Sequence, residues 1–140
     1  MALSSTVAEM LSQLALFADL SPSQVEAVAL AYGEQAFGEG QRVLRQNLSG
    51  GGMFVILEGE VAVVLDGEEI ARLGRGEFFG EISALTGEAP NADVVAASFV
   101  RCLVVPAPEL DGFLVDNPTV LLRMLKVEAR RLRLAELNQQ

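Results

Sequence analysis

The chain has 140 residues, of which 51% are hydrophobic and 21% are charged. This length suits one domain with a buried core, and the apolar content excludes disorder over most of the chain. There is no histidine, which removes the most frequent general base and the commonest zinc ligand. The net charge of −9, from 10 basic and 19 acidic side chains, has the wrong sign for a chain that binds nucleic acid over its whole surface. These features argue against an enzyme and against direct DNA binding.

Several features indicate a cytoplasmic location. The longest apolar runs, at Val61–Leu65 and at residues 94–100, are far shorter than the roughly 18 residues of a membrane-spanning helix. No Lys or Arg precedes Arg42, so the basic start of a secretory signal peptide is missing. The single cysteine, Cys102, has no partner for an internal disulfide. We therefore expect a cytoplasmic protein without membrane insertion.

The first 33 residues are predicted to be helical. Apolar residues at positions 7, 10, 11 and 14 predict a short amphipathic helix over residues 7–16. Ser21 has the features of an N-cap, because a proline follows it and Gln24 lies three residues later. This start predicts a second helix that ends near Tyr32.

After Gly33 the helical periodicity gives way to short runs of strand length that are separated by glycines. Two strands flank a glycine turn at residues 38–40, and a flexible loop is predicted at residues 47–52. Asp66-Gly67 predicts a hairpin turn, because both central positions of a type I′ turn need a positive φ. The predicted strands cover residues 34–37, 42–45, 53–57, 61–65 and 69–73, with a strand end at 78–79 and further strands across 92–100 and 102–105.

Prolines 106 and 108 end the strand region, and helices are predicted to follow. Residues 107–115 have the length of a helix of one to two turns, and Asn117-Pro118 begins a last helix that ends near Leu137. Along this helix we expect Leu121, Met124, Leu125 and Leu132 near one face, with five cations elsewhere: Arg123, Lys126, Arg130, Arg131 and Arg133. Helices, about eight strands and then helices predict an α+β fold with a β-rich core.

The segment at residues 76–88, GEFFGEISALTGE, carries the most chemical information. A strand ends in aromatic residues, the second being Phe79, and Gly80 lets the backbone turn before a short helix. The free amides near Glu81, Ile82 and Ser83 would then converge at a helix start, which attracts anions. The same pattern also fits a glycine that only turns a corner before a solvated glutamate.

Three stretches carry a resemblance that extends over nearly the whole chain: LFADLS at residues 16–21, FVILEGEV at 54–61 and FGEISALTGE at 79–88. In them the sequence resembles a cyclic nucleotide-binding domain, the regulatory module of catabolite-activator-type transcription factors, cyclic-nucleotide-dependent kinases and gated channels. The resemblance implies an eight-stranded antiparallel β-roll of the double-stranded jelly-roll type, flanked by N-terminal helices and a C-terminal lid helix. It implies one domain over residues 1–140: N-terminal helices at 1–33, the roll with its phosphate cassette at 34–105 and C-terminal helices at 107–137.

The resemblance also implies roles for individual residues. Gly80 gives the ligand close access to the backbone, Glu81 binds the ribose 2′-hydroxyl, and the amide and hydroxyl of Ser83 face the cyclic phosphate. The implied ligand-binding residues are Phe79, Gly80, Glu81, Ile82, Ser83, Pro90, Asn91, Ala92 and Asp93. No metal or cofactor is implied, and the expected regulatory ligand is cAMP or cGMP, with cAMP favoured.

The segment that follows the cassette helix departs from the family pattern. The family continues with Pro-Arg-x-Ala-Thr, whose arginine pairs with the cyclic phosphate, whereas this chain has Ala-Pro-Asn-Ala-Asp at residues 89–93. Pro90 therefore stands at the arginine position, and Asp93 replaces a small hydroxyl residue. Loss of the cation is expected to weaken binding by about tenfold to a hundredfold or more. No Lys or Arg occurs at residues 76–100, so the candidate replacements lie outside this segment: Arg72, Arg75, Arg123 and Lys126.

Three outcomes remain open: weak cyclic nucleotide binding through amides and Glu81, a different ligand, or no ligand. We expect a sensor module in which ligand binding shifts the C-terminal helix and so acts on a downstream effector domain or partner protein. The alternative is a ligand-free module for protein docking. The leucines of the last helix would also suit a homodimer seam, and its cations are interpreted as a solvated face.

Overall fold

The computed structural model describes residues 2–47 and 51–138. The N-terminal part contains α1 (Ala2–Ser12), a 3₁₀ turn (Ala15–Phe17) and α2 (Pro22–Ala31), and the C-terminal part contains α4 (Ala107–Asp116) and α5 (Pro118–Asn138). A short helix, α3 (Glu81–Thr86), lies between the sixth and seventh strands. The strands are β1 (Gly33–Phe37), β2 (Arg42–Leu44), β3 (Gly52–Glu58), β4 (Val61–Leu65), β5 (Glu68–Leu73), β6 (Phe78–Phe79), β7 (Asp93–Ala96) and β8 (Val100–Pro106).

The strands of the described chain form two four-stranded antiparallel sheets. Their orders are β1-β8-β3-β6 and β2-β7-β4-β5. This arrangement, with helices before and after it, confirms the predicted α+β fold and its β-roll.

Two apolar cores hold these layers together, and β3 contributes to both. Met53, Val55 and Leu57 pack with the helices, whereas Phe54 and Ile56 pack between the two sheets. Successive side chains of a strand point to opposite faces, so a strand that is buried on both faces needs an unbroken apolar run. The apolar sequence of β3 therefore places it at the centre of the fold.

Two local signals are confirmed by the structure. The hydroxyl of Ser21 accepts a hydrogen bond from the amide of Gln24 at 3.2 Å, and Oε1 of Gln24 accepts one from the amide of Ser21 at 2.7 Å. Asp66 and Gly67 have φ angles of 51° and 84°, as the predicted hairpin turn requires. Both features depend only on neighbouring residues.

Other local predictions need correction. Helix α1 ends at Ser12, so Leu14 lies beyond it and reaches the core just before the 3₁₀ turn. Two strands flank residues 38–40 as predicted, and the structure adds that β1 pairs with β8 and β2 pairs with β7, not with each other. Of the loop predicted at residues 47–52, residues 48–50 lie outside the described residues, and Gly52 already belongs to β3.

The faces of α5 also differ from the prediction. Met124 is buried, whereas Leu121, Leu125 and Leu132 are exposed to solvent, so these four residues do not share one face. Within residues 2–47 and 51–138, no helix combines the length and apolar character that a membrane crossing needs.

Candidate functional site

The two aromatic residues of β6 set the position of the cassette. This strand pairs with β3 through Phe79 opposite Phe54 and Phe78 opposite Val55. Phe78 enters the core beneath the helices, and Phe79 enters the core between the sheets. The Phe79 ring stacks on Phe54, with centroids 5.0 Å apart and planes 2° apart. The backbone that leaves β6 is thereby fixed on both sides of the sheet.

Gly80 makes the turn from β6 into α3. Its φ is +84°, and a Cβ at this position would lie 2.3 Å from the carbonyl oxygen of Gly52. Only glycine fits such a turn without displacing the neighbouring backbone. The first helical hydrogen bond of α3 runs from the amide of Ala84 to the carbonyl of Gly80, at 3.1 Å. The amides of residues 81–83 therefore have no partner within the helix.

A cavity of about 780 Å³ opens beside this turn. It lies within the range of about 300–1,000 Å³ that is usual for small-molecule sites. Apolar side chains from both sheets form part of its wall, among them Leu44, Val63, Leu73 and Val94. Eight of the nine predicted ligand-binding residues line this cavity: Phe79, Gly80, Glu81, Ile82, Ser83, Pro90, Asn91 and Ala92.

Asp93, the ninth, is not part of the lining. Its Oδ1 accepts a hydrogen bond from the amide of Gln46 at 2.6 Å, and its Oδ2 lies 3.7 Å from Nε of Arg42. Nearby, the carbonyl of Pro90 accepts a hydrogen bond from the amide of Asn47 at 3.0 Å. These contacts attach the segment after α3 to the end of β2, so that Pro90 stands in the cavity wall.

The hydroxyl of Ser83 already has a partner within the cassette. It donates a hydrogen bond to the carbonyl of Glu88 at 2.6 Å, which closes the turn after α3. The proton of this hydroxyl is therefore engaged, and the backbone amide is the group of Ser83 that remains to meet an anion.

Glu81 is only 3% exposed and contacts the C-terminal helix. Its Oε2 lies 3.4 Å from Nη1 of Arg131 on α5. The same guanidinium donates a hydrogen bond from Nη2 to the carbonyl of Phe78 at 2.8 Å and lies 4.6 Å from the centre of the Phe78 ring. Arg131 therefore joins α5 to both ends of the turn that carries Gly80.

A second carboxyl group lies close to Glu81. Burial, together with the neighbouring Glu128, raises the pKa of Glu81 to about 8, and Arg131 opposes this only in part. Oε2 of Glu128 is buried without a hydrogen-bond partner among the described residues, while Oε1 lies 3.5 Å from Nη1 of Arg131. At neutral pH we therefore expect Glu81 to hold a proton in the ligand-free domain.

The free energy of unfolding should consequently fall as the pH rises from about 4.5 to about 8. In this range the folded domain keeps a proton on Glu81 that the unfolded chain releases, because its pKa is raised from 4.5 to about 8. The stability that the Glu81 proton contributes is fully present below pH 4.5, and it is lost as the pH rises through the pKa that Glu81 has in the folded domain. Urea unfolding at a series of pH values measures this slope.

Glu81→Gln should remove most of that slope, since an amide resembles the protonated carboxyl group and does not titrate. Glu39→Gln is the control, because Glu39 is exposed in a turn and is not part of the lining of the large cavity. Equal slopes in the wild type and Glu81→Gln would contradict the assignment.

Arg131 is a residue of this site that the sequence interpretation missed. Among the described residues it is the one Lys or Arg in the lining of the large cavity. The sequence contained a pattern that could have identified Arg131, because positions 120, 124, 128 and 131 lie along one stripe of a helix. In the structure, Val120 and Met124 of this stripe are buried. Extending the stripe that contains Met124 to position 131 would have predicted that Arg131 faces the roll.

The cations that the sequence offered as replacements lie elsewhere. Arg72 pairs with Glu69 and Glu60 at the surface, Arg75 hydrogen bonds to Gln13, Arg123 pairs with Asp19, and Lys126 lines a separate cavity. None of these four side chains is part of the lining of the large cavity.

Comparison with known proteins gives consistent matches to one family. The sequence profile of the cyclic nucleotide-binding domain matches residues 34–117. The chain is 28% identical over 121 residues to a cGMP-dependent protein kinase from Toxoplasma gondii, a match that covers 86% of this chain and 12% of the kinase.

Solved structures agree with this match. The Catabolite Activator Protein of Thermus thermophilus has a TM-score of 0.79 and 26% identity, over 89% of this chain and 61% of that one. The regulatory subunit of a cAMP-independent protein kinase A from Trypanosoma brucei has a TM-score of 0.76 and 26% identity, over 89% of this chain and 48% of that one.

The residues that match the family profile include both sheets apart from Gly33, the cassette, and the lining of the large cavity apart from Arg131. The chain spans about an eighth of the length of the curated relatives it matches. The matched module is a regulatory, non-catalytic domain. This chain belongs to the cyclic nucleotide-binding domain family.

Proposed function

We propose that this domain is a sensor that binds a cyclic nucleotide, with cAMP favoured, and relays its occupancy through α5. The observation that carries the proposal is the cavity of about 780 Å³, where a buried carboxyl group, helix-start amides and a guanidinium line one space. These are the groups that a ribose hydroxyl and a phosphodiester anion require.

Glu81 is proposed to accept a hydrogen bond from the ribose 2′-hydroxyl. It lies in the cavity wall on the first residue of α3, and its backbone position is fixed by the turn at Gly80. Either form of the group has an oxygen that can accept this bond, but the ionised form accepts it more strongly. This hydrogen bond by itself would favour ionisation of Glu81.

Arg131 is proposed to supply the positive charge that the cassette lacks. Its guanidinium lines the cavity and also contacts Glu81, so a bound phosphate would compete with Glu81 for the same cation. Because Arg131 belongs to α5, any movement of its guanidinium towards the ligand would shift α5 as well. The residues of α5 after Arg131 are exposed as far as Leu137, and they would follow this movement without breaking core contacts.

Isothermal titration of the domain with cAMP, and separately with cGMP, tests this proposal. We expect binding of at least one nucleotide and at least a tenfold loss of affinity in Glu81→Ala, whereas Glu39→Ala should bind as the wild type does. Solution NMR at saturating ligand should show changed signals along α5. No binding of either nucleotide would contradict the proposed ligand, and unchanged α5 signals would contradict the relay.

A ligand-free docking module is the second candidate, and the segment after α3 favours it. The resemblance implies that Pro90 stands at the position of the family's phosphate-binding arginine, and the segment 76–93 contains acidic residues without a basic one. The related regulatory subunit from Trypanosoma brucei belongs to a cAMP-independent kinase. If neither cAMP nor cGMP binds in the titrations, the ligand-free docking module becomes the favoured function.

A further inference from the structure

A second cavity, of about 340 Å³, lies between α5, the 3₁₀ turn and the loop that joins β5 to β6. Its floor is apolar and includes Leu16, Phe78 and Val127. One side of it is formed by four cations of α5, and we call this space the basic groove: Arg123, Lys126, Arg130 and Arg131. Among the described residues, the groove shares only Arg131 and Glu77 with the lining of the large cavity.

The basic groove is an exception on an acidic molecule. Residues 1–117 carry 5 basic and 17 acidic side chains, whereas residues 118–140 carry 5 basic and 2 acidic ones. Four of the 10 basic residues of the chain thus line one small cavity. Such a concentration of like charge is unfavourable by itself and suits a partner of opposite charge.

Two cations of the groove form no salt bridge with a described residue. Arg123 donates two hydrogen bonds to Asp19, from Nε to Oδ2 at 2.5 Å and from Nη2 to Oδ1 at 3.2 Å. Arg131 donates a hydrogen bond from Nη2 to the carbonyl of Phe78. Lys126 and Arg130 are exposed, and neither forms an ion pair with a carboxylate of the described residues.

The acid on the groove wall is itself engaged. Oε2 of Glu77 accepts a hydrogen bond from the amide of Gly74 at 2.9 Å. Glu77 keeps its negative charge, so the lining of the groove carries four cations and one carboxylate. Lys126 and Arg130 are the two of these cations without a salt bridge to a described residue.

The spacing of these two cations suits an extended peptide. Residues four apart on a helix are separated by about 6 Å along its axis, and alternate side chains of an extended chain are separated by about 6.6 Å. Carboxylates at alternate positions of a peptide would therefore meet Lys126 and Arg130 in turn. An apolar side chain of the same peptide could then contact the floor at Leu16 and Val127.

We propose that the basic groove docks an acidic segment of a partner protein. The apolar floor distinguishes such a segment from an inorganic anion, which would leave that surface uncovered. The net charge of −9 opposes a nucleic acid, whose phosphates would be repelled by most of the surface around the groove.

The test uses a fluorescein-labelled peptide in which glutamates alternate with leucines, titrated with the whole domain and followed by fluorescence anisotropy. A peptide with glutamine at each glutamate position is its neutral counterpart. We expect saturable binding of the acidic peptide that weakens as salt rises, and no binding of the neutral one.

Two variants of α5 show whether the groove is the site. Arg130→Glu should lower peptide affinity at least tenfold, whereas Arg133→Glu, the same change three residues further along the helix and outside the groove, should lower it less than threefold. Equal losses in the two variants would overturn the proposal, because they would indicate general attraction to α5. Failure of the acidic peptide to bind, or preference for a single-stranded oligonucleotide over it, would also overturn the proposal.

The shared residue Arg131 extends the inference to regulation, and this step rests on the proposed function. A peptide carboxylate near Arg131 would compete with Glu81 for its guanidinium, so we expect the affinity for cAMP to change at least threefold when the peptide is saturating. Because the peptide titration needs no nucleotide, docking is tested even if cAMP does not bind. An unchanged cAMP affinity with bound peptide would overturn the coupling.

Discussion

Gly80→Ala should lower the free energy of unfolding by about 2–5 kcal/mol, which is a large part of the stability of an ordinary domain. Two costs combine at this position. The φ of +84° is unfavourable for alanine, and the new Cβ would meet the carbonyl oxygen of Gly52 at 2.3 Å. That oxygen belongs to the first residue of β3, whose backbone is held in a sheet, so it cannot move aside cheaply.

Gly87→Ala provides a matched control for this prediction. Gly87 ends α3 with a φ of +78°, but a Cβ there would meet no atom of the described residues within 4 Å. Gly87→Ala should therefore lower the free energy of unfolding only by the cost of a positive φ in alanine, about 1–2 kcal/mol. Urea unfolding of both variants measures the difference, and equal losses would show that the close approach to Gly52 does not limit the fold.

Pro90→Arg should strengthen cyclic nucleotide binding by about tenfold to a hundredfold, the effect of one charge-assisted hydrogen bond of about 1.5–3 kcal/mol. Pro90 lines the nucleotide cavity, and its carbonyl bond to Asn47 does not depend on the side chain. A guanidinium there would add a bidentate partner for the cyclic phosphate beside the helix-start amides. Isothermal titration with cAMP and cGMP measures the gain.

Pro90→Gln is the control for the loss of the proline ring. It removes the same ring and adds a polar side chain without charge, so its affinity should stay close to that of the wild type. A gain in both variants would assign the effect to the backbone and not to charge. If the affinity of Pro90→Arg for both nucleotides equals that of the wild type, the cavity does not accept a cyclic phosphate. This result would favour the docking module.

The sequence predicted the features that short-range physics controls. The capping box of Ser21, the turn at Asp66-Gly67 and the glycine turn into α3 each depend on hydrogen bonds or φ values within a few residues. Of the nine binding residues that the resemblance proposed, eight line one cavity in the structure. Asp93 differs, because its carboxylate meets Gln46, a residue of the loop after β2 that no local pattern connects to it.

What the sequence determined by itself is therefore the order of helices and strands, the glycine turn at Gly80 and the lack of Lys or Arg at residues 76–100. Only the tertiary structure decided that β1 and β2 belong to different sheets, because strand partners are chosen by burial of apolar faces across the whole chain. It alone brought Arg131 onto Glu81, 50 residues away in the chain, and buried a second carboxyl group beside them. Burial and long-range contact are properties of the packed molecule, so the raised pKa of Glu81 and the basic groove follow from the fold and not from any segment alone.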